Sequence, residues 1–204
     1  MIEFYTAQTS NGQRAAIMLE ECGLAYRVHA FDLFKGEQKN AEFLKVNPAG
    51  QIPAIVDGEG PGGQPLVLAQ SAAILLYLAE KTGRFLPLDP RRRAMAYQWL
   101  QLAMTDAGPA SGSVFLLSRI TPEKSAANVT FFEERLVRFL RLADARLAQL
   151  EYLADELSIA DFALYPIYAA RKSLVDAAGD LPQLTRWGAA LAARPALSRA
   201  MQLV

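Results

Sequence analysis

The sequence predicts an α/β half followed by an all-helical half, on three observations. Strand-like and helix-like runs alternate through the first half, Gly- and Pro-rich stretches punctuate them, and beyond Pro90 the apolar residues keep three- and four-residue spacing. The expected division is residues 1–82, a linker at 83–89, and a helical domain at 90–204. The order βαβ-α-ββα in the first part implies a small mixed sheet with helices on its faces.

Each element has its own warrant. "IEFYT" after Met1 reads as a strand, and residues 13–22 as a helix with Ala16, Leu19 and then Gly23 along it. "YRVHAFDL" (26–33) is a second strand and "NAEFLKVN" a short helix. "IPAIVD" and "PLVL" flank "GEGPGGQ" in a hairpin pattern. "SAAILLYLAEKTG" is a helix that stops at Gly83. Asp89 as N-cap with Pro90 as first helical residue opens the helical part. Within it "LSIADF" offers Ser158 as N-cap, Asp161 at the third helical position, and Leu157 with Phe162 as a hydrophobic staple.

Composition narrows the function. Lys+Arg and Asp+Glu are 21 each in 204 residues, so no basic face is expected for a nucleic-acid partner. No apolar run reaches the roughly 18 residues of a membrane span. "MIEFY" has no basic segment ahead of an apolar one, so no signal peptide is expected and a cytoplasmic location is. One cysteine, Cys22, excludes an intrachain disulfide and a CxxC pair. With a single histidine, His29, no zinc site of the usual kind is expected either.

Three motifs in the first half carry candidate chemistry. The turn "TSNG" places Thr9, Ser10, Asn11 and Gly12 at a helix mouth, where hydroxyl, amide and free N–H groups form a cluster of donors. Ordinary N-capping accounts for the same residues. In "NPAGQIPAIV", Pro53 opens a strand, either as a plain trans proline at an edge or as a cis proline that turns the Ile52 backbone towards a peptide ligand. In "LAQSAAILLYL", Ser71 reads as the N-cap of an apolar helix whose first N–H groups suit a carboxylate, with Gln70 beside it for an amine or amide. A plain cap reads the same way.

"TSNG", "NPAGQIPAIVD", "QSAAILLYLAEK", "SIADF" and "LPQLTRWGAALAARPAL" together resemble the cytosolic glutathione transferase family, over essentially the whole chain. Among its branches, "TSNG" with "KGEQKNAEFLKVNPAGQIPAIVD" is most similar to the bacterial Nu-class and Ure2p-like group, although Ser10 stands where that group has proline. The resemblance implies a thioredoxin-like glutathione-binding domain followed by a helical domain that holds the electrophile site and dimer contacts. It implies a homodimer that uses glutathione as cosubstrate and no metal. Carried onto this chain, Thr9, Asn11 and Ser10 are the activating residues. Gln38 and Gln51 approach the glycyl end of glutathione, Ile52 and Pro53 the cysteinyl part, and Gln70 and Ser71 the γ-glutamyl end. Arg135 is expected near the thiol, against the alternatives of a surface arginine or a salt bridge. Cys22 is expected as a core thiol.

The resemblance also implies how such a turn works. A free thiol has a pKa near ~8.5, and lowering it by two units requires about 2.7 kcal/mol. A hydrogen bond to a charged acceptor contributes about 1.5–3 kcal/mol and a helix N-terminus about 0.3–1. Donors from Thr9 and Asn11 therefore suffice without a protein base. The expected activity is thiolate transfer to an electrophile. Glutathione-dependent disulfide reduction, or a non-catalytic glutathione-binding module of the same fold, are the alternatives.

Overall fold

The computed structural model describes residues 1–203. It consists of two compact units, one of residues 1–84 with the segment from Ala193 onward, the other Phe85–Ala192.

In the first unit, strands β1 (Ile2–Thr6), β2 (Tyr26–Ala30), β3 (Ala54–Asp57) and β4 (Leu66–Ala69) form one sheet in the order β2-β1-β3-β4. β1 runs parallel to β2, while β3 runs antiparallel to both β1 and β4. Ile2, Phe4 and Thr6 are buried on alternate positions of β1, as a half-buried strand requires. Helix α1 (Ser10–Cys22) and helix α3 (Ser71–Thr82) pack against each other, and short α2 (Ala41–Val46) lies between β2 and β3 in sequence.

Three boundaries differ from expectation, each for a local reason. α1 begins at Ser10 instead of residue 13, because Thr9 caps it by accepting the Gly12 N–H at 3.1 Å. β2 stops at Ala30, since Asp32 Oδ1 accepts the Phe34 and Lys35 N–H groups and winds Leu33–Lys35 into a 3-10 turn. β3 starts at Ala54, past Pro53, which has no N–H to give to a ladder.

The second unit is all helical apart from a lone bridge, Ala154 to Glu156. Its first helix, α4 (Pro90–Gln101), is capped by Asp89, whose carboxylate accepts the Arg92 N–H at 2.9 Å. The chain continues through a π-helical turn (Leu102–Ala107), α5 (Gly108–Phe115) and a second π turn (Leu116–Ile120). Pro109 accounts for the first widening: its ring and missing N–H disturb the regular ladder one turn back. Then follow α6 (Ala126–Leu147), α7 (Ile159–Ala170), α8 (Lys172–Ala178) and α9 (Pro182–Ala192).

α7 is the hub of this unit, with every residue from Ile159 to Tyr168 buried. The expected capping box is present: Asp161 Oδ2 accepts the Ser158 N–H at 3.0 Å and the Ser158 hydroxyl reciprocates at the helix start. Gly188 of α9 lies against the Tyr168 ring, where a Cβ would come within 2.2 Å of it. The expected linker is partly structural. Phe85 holds a left-handed φ of 61° while its carbonyl accepts the Ile159 N–H at 2.9 Å and its ring meets Phe162 edge-on at 4.9 Å.

The last helix, α10 (Pro195–Met201), was expected with the helical half but packs on α1. Electrostatics draws it there: Arg199 pairs with Glu20 at 2.7 Å, and Arg194 grips Glu21 with two bonds of 2.7 Å.

Candidate active site

Sheet register brings the three candidate motifs together. Tyr5 of β1 pairs with Ala54 of β3, and Ala54 with Ala69 of β4. Immediately beyond this row lie Thr6 and the Thr9 turn, Pro53, and Gln70 with Ser71. Three segments far apart in sequence thus meet at one end of one sheet.

The turn is tightly built. Gly12 presses against the end of β1, where a Cβ would come within 2.3 Å of the Ala7 carbonyl and 2.4 Å of Thr6 Oγ1. No other residue type fits there without displacing backbone. Thr9 Oγ1 accepts the Gly12 N–H, which leaves its hydroxyl proton to donate elsewhere. Capping and thiol activation are therefore compatible in one residue. Asn11, exposed at the mouth, accepts a short hydrogen bond from Arg14 Nη1 on Oδ1. That bond sets the amide orientation, so the –NH2 group is left for a partner outside the helix. Ser10 is the first helical residue, half-buried between them.

Arg14 is the residue that sequence reasoning missed. It is 1% exposed, and burial pulls its guanidinium down to about 10, still charged at neutral pH. A second contact runs from Nη1 to Ser71 Oγ at 3.4 Å. The available signal was a cation on the same helical stripe as Ile17, Met18 and Glu21, all of them buried.

Ile52–Pro53 is a cis peptide bond. Of the two sequence readings of Pro53, the cis one holds. Ser71, expected as the N-cap of α3, is instead its first helical residue and is buried. The cap position belongs to exposed Gln70, at φ 74° and ψ 117°, and no side chain caps the helix there. Left-handed φ is costly for a residue with a Cβ, and such positions cluster at ligand sites. The start of α3 consequently keeps uncapped N–H groups and a positive potential suited to a carboxylate.

The Gln38 backbone lies against Gly50, the residue before Gln51. Lys39 Nζ donates to the Ala49 carbonyl at 3.2 Å, and Gly50, at φ 56°, leaves room for Lys39 and the Gln38 carbonyl. Asn47 Nδ2 holds the Gln51 carbonyl at 2.7 Å. Gln38 Oε1 is buried without a hydrogen-bond partner among the described residues, an acceptor that a ligand N–H would satisfy. Arg135 belongs to the other unit, on α6, stacked 5.3 Å from the Phe139 ring. With Phe131, Glu134, Arg138 and Arg141 it lines a shallow exposed hollow.

Other candidates are accounted for structurally. Tyr5 stacks on His29 at 4.5 Å, and burial, with Glu3 adding to it, raises its phenol. His29 Nε2 lies 2.6 Å from Glu3 Oε2. Cys22 is half-buried beside the Thr82 hydroxyl, and burial pushes its thiol up, away from the reactive range. Among the described residues, no group of three or more His, Cys, Asp or Glu could hold a metal, and no helix is long and apolar enough to cross a membrane.

Residues 10–81 match the glutathione S-transferase N-terminal domain family. Over 204 residues, the chain is 38% identical to the disulfide-bond oxidoreductase YfcG of Escherichia coli, covering 98% of this chain and 94% of that protein. The chain belongs to the glutathione S-transferase family. Its bacterial transferase relatives share the fold throughout. A Pseudomonas putida glutathione transferase with one glutathione disulfide bound per subunit superposes at a TM-score of 0.91 and 34% identity, over 99% of this chain and 91% of that one. A Burkholderia graminis glutathione transferase with two glutathione molecules per subunit gives 0.91 and 35%, over 98% and 87%. The expected family and fold class, a thioredoxin-like domain with a helical transferase domain, both stand.

Proposed function

We propose that this chain is a glutathione transferase whose first unit binds glutathione and activates the glutathione thiol for attack on an electrophilic carbon. The observation that carries this reading is the Tyr5–Ala54–Ala69 row, beyond which the donor turn, the cis proline and the uncapped start of α3 share one sheet end. Glutathione supplies the nucleophilic sulfur. Thr9 and Asn11 supply the donors that hold it as thiolate, with Ser10 in the same turn. Ile52 and Pro53 present backbone to the peptide, Gln70 and Ser71 receive the γ-glutamyl end, and Gln38 and Gln51 the glycyl end. Arg135, a cation on the other unit, is assigned an accessory electrostatic role.

The test is a titration of the bound thiol by its thiolate absorbance in the wild-type chain, T9A, T9S, N11A and T9A/N11A. The wild-type thiol should titrate one to two units below the free value of ~8.5, T9S should keep most of that shift, and the double variant should lose it. An unshifted thiol in the wild-type complex overturns the reading.

Disulfide reduction is the second reading, favoured by the YfcG relative's activity and by the glutathione disulfide held in the Pseudomonas putida relative. The bound thiolate attacks one sulfur of a substrate disulfide, a mixed disulfide forms, and the other sulfur leaves as thiolate and takes a proton. A second glutathione thiolate then releases the product thiol and leaves glutathione disulfide. Parallel assays with a chlorodinitrobenzene and with hydroxyethyl disulfide rank the two. We further propose, on the strength of the family, a metal-independent, cytoplasmic homodimer; exposed apolar side chains such as Phe131 at 59% and Leu142 at 52% on α6 support the dimer alone.

A further inference from the structure

We propose that Arg14 is a positioning residue for thiol activation, locking the Asn11 amide in its donating orientation and tying the thiol end of the site to Ser71 at the γ-glutamyl end. The inference rests on the function proposed above. A guanidinium has only donors, so Asn11 can meet Nη1 only through Oδ1. Reversing the amide would set its –NH2 against a guanidinium that is itself buried, since Arg14 is 1% exposed. Asn11 itself is exposed, and Arg14, one helical turn away on α1, restrains its amide oxygen. The same nitrogen lies 3.4 Å from Ser71 Oγ, and α1 packs along α3, so both helix mouths share one rigid cation. Displacing Ser71 would shift the guanidinium and with it the Asn11 donor.

The chemistry requires an arginine of this reach and planarity. A lysine keeps the charge but offers a single flexible point of contact in place of a fork. Loss of the restraint lets the Asn11 amide rotate, so the donor is present but aimed at the sulfur only part of the time.

R14K, R14Q, N11A and R14Q/N11A, each in the full chain, test this with two independent readouts. The first is the NMR signal of the Asn11 side-chain amide without glutathione. The wild-type chain should give one ordered –NH2 pair, and both R14K and R14Q should shift it and raise its mobility. The second is the pKa of bound glutathione with the pH profile of kcat. R14Q should raise the bound-thiol pKa by about one unit, an effect of about tenfold on kcat below that pKa that shrinks at alkaline pH. R14K should recover part of it. In the N11A background R14Q should add little to the pKa. Unchanged Asn11 signals in both Arg14 variants overturn the proposal, as do pKa effects of R14Q and N11A that simply add. If R14Q does not fold, R14K decides on the same readouts. An unshifted thiol in the wild-type complex instead overturns the proposed function, while the Asn11 signals still show whether Arg14 restrains that amide.

Discussion

Trp187 donates its indole N–H to Asp161 Oδ1 at 2.9 Å, with both side chains sealed from solvent. The same oxygen accepts the Leu153 N–H at 3.1 Å, while Oδ2 serves Ser158. One carboxylate thus joins the start of α7, α9 and the loop before α7. Asp161→Ala leaves the buried Trp187, Leu153 and Ser158 donors without their acceptor. It should cost about 3–5 kcal/mol, at about 1–3 for each unsatisfied donor, and Trp187→Phe, which keeps most of the ring, about 1–2. Chemical denaturation of both variants measures the difference. Near-equal losses would mean that the carboxylate is not the junction.

Asp161 and Asp57 should respond to pH in opposite senses. Burial pushes Asp161 up to about 6 against its hydrogen bonds, so the folded state holds the proton more tightly and this group's stabilisation falls as pH rises from about 4 to 6. Burial also acts to raise Asp57, but Lys81 at 2.8 Å, Tyr77 at 2.5 Å and the Glu59 N–H outweigh it and hold the carboxyl low. Its stabilisation is present above the ordinary value near ~3.9 and disappears as pH falls through the lowered one. Denaturation from pH 3 to 7 should therefore show Asp57→Asn trailing the wild-type chain most at the neutral end. The gap between wild type and Asp161→Asn should move the other way.

Replacing Gln70 separates stability from binding. Its φ of 74° suits glycine, so Gln70→Gly should leave the fold as stable or add up to about 1 kcal/mol. Glutathione affinity should fall several-fold, because the amide beside Ser71 is gone. Melting temperature and calorimetry on one preparation read both. Unchanged affinity would remove Gln70 from the site.

Arg194→Ala strips the partner from Glu21, whose side chain is 3% exposed. The loss should be about 2–3 kcal/mol, below the full buried-pair value because Arg194 is itself a third exposed. Glu21→Gln with Arg194→Met should recover part of it, as measured by urea denaturation.

The sheet, its long helices and the capping box were legible in the sequence because each rests on local chemistry: the apolar run of β1, Gly83 as a stop, Asp89–Pro90 and Ser158–Asp161 as starts. The three site motifs were legible for the same reason. What escaped depends on contacts across long sequence distance. Ser71 looked like a cap because serine usually is one; only the backbone reveals that Gln70 takes that place. Arg14 was hidden because a cation in a helix reads as solvated, and what ties it across the site, its contact with Ser71, spans 57 residues. α10 carries an ordinary amphipathic pattern, with nothing in it to say which unit it would join.

That last helix has a consequence for synthesis. Glu21 leaves the ribosome early, yet the guanidinium that neutralises it follows 173 residues later. Until then the nascent first unit carries an unneutralised acid and an uncovered flank of α1, so it closes only after the whole of Phe85–Ala192 has been made.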